Sequence, residues 1–316
     1  MMSKLGTNSL AKFVPLCYHI VVVKFRFTWR YIMKSAILLI LVILATAFQN
    51  VVKKVYGNKT EGRGTYIFSS LVCVAAAVFF ALTDSDGLSF SAELTPYSIV
   101  FAVGYAAITV FSVLALRAGS LALSSLIISY SLMVPALFGM IYYHEPTSWT
   151  LYVGIALLLV SLALVNKEDG EITISLKWII YIALAFLGNG LCLVVMQIQT
   201  VDFAGELSNE FMIIGLAIVA VAMAIVSVLF ERKEITPCLK KAGLLPVLNG
   251  AANGLANFLT LALLVIMLAS LMQPLNSAGG IIVTVAISIF IYREKLSVYQ
   301  LIGVLLGTAS VVFLSL

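Results

Sequence analysis

The sequence predicts an all-α integral membrane fold, ten transmembrane helices in a 5+5 inverted repeat, and three observations carry that expectation. Composition is the first: 62% of the 316 residues are hydrophobic and 10% are charged, too few polar groups to cover a water-exposed surface. The second is run length. Apolar stretches of about 20 residues match a hydrocarbon core of about 30 Å, and they are apolar on all sides, which excludes the alternating pattern of a β-barrel. The third is a repeat: residues 96–165 lie over residues 245–314 without a gap, at a shift of 149 positions. That shift pairs Tyr143 with Tyr292, Glu145 with Glu294, Ser148 with Ser297, Gly154 with Gly303, Leu157 with Leu306 and Ser161 with Ser310. Each copy has an odd number of spans, so the second enters the bilayer from the opposite side to the first.

In chain order the expected spans are Ser35 to Val52, Tyr66 to Leu82, Pro96 to Leu116, Ser120 to Tyr143, Ser148 to Val165, Trp178 to Thr200, Phe211 to Phe230, Leu244 to Val265, Ser270 to Tyr292 and Ser297 to Leu316. The organisation is then a segment at 1–34, a first five-span repeat at 35–165, a linker at 166–177 and a second repeat at 178–316. Residues 13–23 are apolar but too few to span, and Lys24, Arg26 and Arg30 close them off. Two readings of this segment stand: an extension outside the fold, or a basic arm lying on the membrane surface. It lacks the small-residue site of a cleaved signal peptide.

Short connections leave no room for a soluble domain. Cys17, Cys73, Cys192 and Cys238 are scattered, which suits neither a disulfide framework nor a metal site. The two histidines, His19 and His144, fall outside the spans, and no acidic residue accompanies the intramembrane serines, so an enzyme, a cofactor or a catalytic metal is not expected. The net charge of +5 comes from membrane-edge lysines and arginines rather than a basic face, which argues against nucleic acid as a partner. Of the 19 basic residues, all those beyond Lys34 fall in loops after odd-numbered spans, and basic loops are retained in the cytoplasm. Both ends of the ten-span core are therefore expected outside.

The doubled pattern Glu-x-x-Ser-x-x-x-x-x-Gly, from Glu145 and again from Glu294, closes the fourth span and opens the fifth of each copy. With ten spans it resembles the EamA-type members of the drug/metabolite transporter superfamily, over residues 35–316. The resemblance implies a carrier that exposes a central site to one side and then the other and exports or exchanges a small solute; compactness and the lack of targeting signals suggest a bacterial inner membrane. It also implies both chain ends in the cytoplasm, against the loop charges. It leaves homodimerisation open, and a lipid flippase with the same cavity is the alternative function.

Glu145 and Glu294 precede helix starts, where a carboxylate meets the free amides and positive end of the next helix, with Ser148 and Ser297 as caps. All charged residues fall at expected span ends or in loops, which removes the intramembrane carboxylate that a proton relay uses. Recognition is left to uncharged polar groups. Asn249, Asn253 and Asn257 recur every four residues and form one stripe along the eighth span. Gln49 and Asn50 in the first span join them, with Tyr105 and Thr109 in the third and Ser129, Tyr130 and Ser131 in the fourth. Asn189 and Gln197 in the sixth and Gln273 and Asn276 in the ninth complete the set. Carboxamides supply donors and acceptors, which suits a neutral or zwitterionic small molecule. The same groups also tie membrane helices together, and Gly250 and Gly254 form a small-residue packing pair. Pro135, Pro274 and the pair Gly279 and Gly280 are expected to break their helices.

Overall fold

In the computed structural model, residues 7–84, 87, 89–118, 124, 127–128, 130–131, 133–165, 175–290 and 297–315 are described. Within the helices, the side chains of 7–32, 116–117, 165, 281, 284–285, 288–289 and 315 are left aside. Two compact units divide the chain, Met1–Leu38 and Leu39–Leu316. The first is helical from Thr7 onward; the second holds everything that follows.

Eleven α-helices are described: α1 (Thr7–Thr60), α2 (Thr65–Thr83), α3 (Thr95–Ala118), α4 (Met133–Tyr142), α5 (Trp149–Val165), α6 (Leu176–Asp202), α7 (Ser208–Phe230), the short α8 (Ile235–Ala242), α9 (Leu245–Ile266), α10 (Ala269–Phe290) and α11 (Val298–Ser315). No strand is found among the described residues. Six helices are long and apolar enough to cross a membrane: Met33–Thr60, Thr65–Thr83, Ala92–Ala115, Leu176–Asp202, Ser208–Phe230 and Leu245–Ile266. Met133–Tyr142, Trp149–Leu164 and Val298–Leu314 are shorter apolar helices.

Apolar side chains cover the outside of the bundle as well as filling it. Leu82 and Phe290 are 80% exposed and Phe230 77%. A surface of this kind needs lipid as its solvent. The protein is a multi-pass helical membrane protein.

Local chemistry sets the helix ends. Ser175 opens α6 by accepting from Trp178 N at 3.2 Å. Ser297 and Gln300 form a reciprocal capping box at α11: Gln300 N donates to Ser297 Oγ at 3.2 Å, and Ser297 N donates to Gln300 Oε1 at 2.9 Å. Ser148 accepts from Leu151 N at 3.3 Å, the cap expected of it. The first span departs from expectation. It continues past Val52 to Thr60: Lys53, Lys54 and Lys59 are good helix formers, no proline intervenes, and Gly57 is accommodated within the helix. Lys53, Lys54 and Lys59 thus lie on a membrane-crossing helix, and the expectation of spans free of charge does not hold for α1.

Antiparallel packing joins α3 to α6, α2 to α7, α5 to α11 and α4 to α10, whereas α3 runs parallel to α7 and α2 parallel to α9. Glycine permits the closest crossing. A Cβ on Gly104 of α3 would stand 2.8 Å from the carbonyl oxygen of Gly188 on α6, and a Cβ on Gly188 would meet the Gly104 carbonyl at the same distance. Gly250 and Gly254 press α9 onto Ala75 and Phe79 of α2, the packing role expected of them. Between α5 and α11, Ser161 Oγ donates to Gly303 O at 2.6 Å and Ser310 Oγ donates to Gly154 O at 2.7 Å.

Two bundle ends result. At one, here the Gly62 end, α1 passes into α2, and Glu231 at the close of α7 accepts from the amides of Thr65, Tyr66 and Ile67 at 2.9, 2.9 and 3.4 Å. At the other, the Glu145 end, Glu145 accepts from Ser270 N at 2.9 Å and from Gln197 Nε2 at 3.3 Å. This corrects the sequence reading of Glu145: its carboxylate satisfies the start of α10, not of the helix that follows it, because chain reversal at His144 (φ 51°) turns it back over α6 and α10. Glu294 lies outside the described residues.

Candidate functional site

A cavity of about 410 Å³ opens at the Gly62 end between α1, α2, α3, α6 and α9. That volume falls in the range of small-molecule pockets. Gly57, Gly62 and Thr65 form its rim, and Phe68, Ser69 and Val72 of α2 form one wall. Tyr105, Ile108, Thr109, Ser112 and Val113 of α3 form another, completed by Asn189 of α6 and by Asn249 and Asn253 of α9. Lys53 of α1 is the one lining residue with a formal charge among the described residues.

Hydrogen bonds fix the polar wall. Asn249 Nδ2 donates to Gln49 O at 2.9 Å, and Asn253 Nδ2 donates to Gln49 Oε1 at 3.1 Å and to Tyr105 OH at 3.3 Å. Gln49 Nε2 donates in turn to Ala252 O at 3.4 Å. Asn257 donates to Asn253 O and Oδ1 at 3.0 and 3.1 Å, which holds the Asn253 carboxamide in place from its own helix. Asn189 Nδ2 reaches Ser131 Oγ at 2.7 Å, and Thr109 Oγ1 donates back to Tyr105 O at 2.8 Å. The carboxamide of Asn253 is satisfied at both Nδ2 and Oδ1, but not every group of the wall is. Asn249 makes this concrete, since it is fully buried and its Oδ1 has no hydrogen-bond partner among the described residues.

Toward the Glu145 end the cavity stops at aromatic side chains. Phe101 packs on Tyr105 with ring centroids 5.6 Å apart and on Phe211 at 5.3 Å, while Phe258 meets Phe79 and Phe80 at 6.5 and 6.4 Å. Phe80, Phe101 and Phe211 are among the largest fully buried side chains. Beyond them Tyr97 OH donates to Asp202 Oδ2 at 2.8 Å, joining the start of α3 to the end of α6.

The structure therefore gathers Tyr105, Thr109, Asn189, Asn249 and Asn253 around one cavity, with Gln49 and Asn257 as their supports. The other expected site residues lie elsewhere. Asn50 is exposed on the outer face of α1, since one residue turns a helix by about 100° from the inward Gln49. Tyr130 donates to Leu159 O at 2.7 Å and ties its segment to α5. Gln197 belongs to the Glu145 cluster. Gln273 and Asn276 flank Pro274 on α10 and do not line this cavity. Ser129 lies outside the described residues.

Lys53, Tyr56, Thr65, Ser69 and Ser112 are polar lining residues that sequence reasoning passed over. The signal for Lys53 was present: Gln49, Lys53, Tyr56 and Gly57 follow the i, i+4, i+7, i+8 spacing of one helix face. It was hidden by ending the first span at Val52.

No family model matches the chain, and no curated protein matches it. Among solved structures 28 chains match. One, bearing only the words "Crystal structure of protein", superposes with a TM-score of 0.71 at 13% identity, covering 90% of this chain and 98% of that one. This likeness shows a shared fold.

Proposed function

We propose that the protein is a secondary transporter, built as ten spans in a 5+5 inverted repeat and similar to the EamA-type drug/metabolite carriers. It moves a small neutral or zwitterionic metabolite or drug-like solute by alternating access, as an exporter or exchanger, in a bacterial inner membrane. The single observation that carries this reading is the asymmetry of the cavity. Carboxamides and hydroxyls line a space open at the Gly62 end, and a layer of buried phenylalanines separates it from a second cavity of about 450 Å³ at the opposite end, lined by Asp84, Glu206 and Glu210. A carrier caught with one gate open has that form, with its site at the junction of its halves. The reciprocal bonds of Ser161 with Gly303 and Ser310 with Gly154 support the repeat, because residues paired by the 149-position shift exchange roles across α5 and α11.

Counterflow in proteoliposomes tests it. Vesicles preloaded with one metabolite at millimolar concentration are expected to accumulate the same labelled solute transiently, and Asn253→Leu is expected to abolish the overshoot. A panel of amino acids, sugars and nucleosides that gives no overshoot with well-folded protein would overturn the carrier reading.

A further inference from the structure

Lys53 projects into a cavity whose other polar groups are uncharged, and no carboxylate lies within ion-pair distance of it among the described residues. Lys53 lies about two turns inside the carboxyl end of α1, where an ammonium is unfavourable unless the side chain faces water or an anion. Among the described residues, Lys241 is bridged to Glu61 and Arg63 also meets Glu61, so basic residues close to Lys53 in this region do find acidic partners. Lys53 has none.

A second observation comes from the facing helix. Asn249 is fully buried in the cavity wall, and the bond from its Nδ2 to Gln49 O fixes which way the carboxamide points. Its Oδ1 is left as an acceptor without a partner among the described residues. Gln49 and Asn253 are bonded side chain to side chain, and α1 runs antiparallel to α9. Lys53, one turn after Gln49, therefore comes level with Asn249, one turn before Asn253. A cationic donor and a neutral acceptor stand together across a space of small-molecule size.

We infer that the transported solute carries an acidic group, carboxylate or phosphate, that binds Lys53, and beside it an N–H or O–H donor for Asn249 Oδ1. Zwitterionic amino acids, hydroxy acids and sugar phosphates fit this pair; cationic solutes and solutes without an acid do not. The inference rests on the carrier reading and redraws its substrate class: zwitterions stay, neutral solutes without an acid leave, and anionic acids enter.

Two measurements test it. In Thr109→Cys, the rate of modification above the wild-type chain is compared for an anionic and a cationic methanethiosulfonate. The anionic reagent is expected to react faster, on the order of tenfold, and Lys53→Gln is expected to erase the preference. Equal rates that ignore Lys53→Gln would overturn the inference and leave the carrier reading intact, whereas no reaction from either face would overturn the water-filled cavity and both readings with it. The purified protein is then heated with matched solutes: L-leucine against L-leucinamide, and glucose 6-phosphate against glucose. Stabilisation by an acid-bearing member alone, lost in Lys53→Gln and kept in Lys53→Arg, is the expected result, and the responding pair tells carboxylate from phosphate. Stabilisation by leucinamide or glucose equal to that of its partner, or by no member of either pair, counts against it.

Discussion

Ser161 Oγ donates to the carbonyl of Gly303 at 2.6 Å, and the residues related to them by a shift of 149 positions, Ser310 and Gly154, make the same bond in the reverse sense at 2.7 Å. A local accident would produce one such bond. Two of nearly equal length, between residues paired by a single sequence shift, mean that α5 and α11 meet across a local twofold relation.

The first prediction follows from that equality. Interhelical hydroxyl bonds in membrane proteins are worth about 0.6 kcal/mol on average. Ser161→Ala and Ser310→Ala are each expected to lower stability by about that amount, equally within error, in detergent unfolding. A large loss in one and none in the other would show that the twofold relation is only geometric.

Glu145 gives the second. Its carboxylate joins Gln197 of α6 to the first amides of α10 and lies at the end where the cavity is closed. Glu145→Ala frees the start of α10 and is expected to shift the protein toward a form open at that end. In Phe101→Cys, reaction with a membrane-impermeant thiol reagent added from that face should rise several-fold in the Glu145→Ala background. Gln197→Ala, which leaves the α10 cap in place, should raise it less.

The carboxylate of Glu231 carries a pH prediction. Burial pushes its pKa above the ordinary carboxylate range, and the amides of Tyr66, Ile67 and Thr65 oppose that shift without cancelling it. A folded pKa above the unfolded one means that the folded state holds this proton more tightly. The corresponding stability is fully present below the unfolded pKa and is lost as pH rises through the folded one. Acidification from neutral pH toward the ordinary carboxylate range is thus expected to raise the contribution of this group, and Glu231→Gln should flatten that part of the profile. Glu231→Ala removes the cap of α2 and should cost about 1 kcal/mol at neutral pH, while losing the same pH dependence as Glu231→Gln.

Much of the fold was legible because lipid makes span length and apolarity almost sufficient signals. The packing glycines Gly250 and Gly254 and the stripe of Asn249, Asn253 and Asn257 were legible for a related reason: helical spacing alone puts them on faces. What sequence could not supply was the partner of a side chain far away in the chain. Glu145 looked like a cap for the next helix, yet its amides come from Ser270, 125 residues on. Gln49 and Asn50 looked equivalent until the rotation of α1 was fixed by the bonds of Gln49 to α9. Lys53 was missed because a charge was taken as the end of a span, although a polar cavity lets a lysine sit a turn or more inside it.

Orientation is the last prediction. Lys54, Arg63, Arg232, Lys233, Lys240 and Lys241 all lie at the Gly62 end or on the segments that meet there, the end at which the cavity opens. Basic residues near span ends are held on the cytoplasmic side. The open mouth is therefore expected to face the cytoplasm, with the closed Glu145 cluster outside. The EamA resemblance pulls the other way, since it implies both ends of the chain in the cytoplasm. A cysteine at Lys240 and a reporter fused after Leu316 separate the two. Labelling of Lys240→Cys by an impermeant reagent only in inside-out vesicles, with a reporter at the carboxyl end active only outside, is the expected pair of results. Labelling of Lys240→Cys in intact cells would reverse the orientation and make the observed cavity an outward-open one.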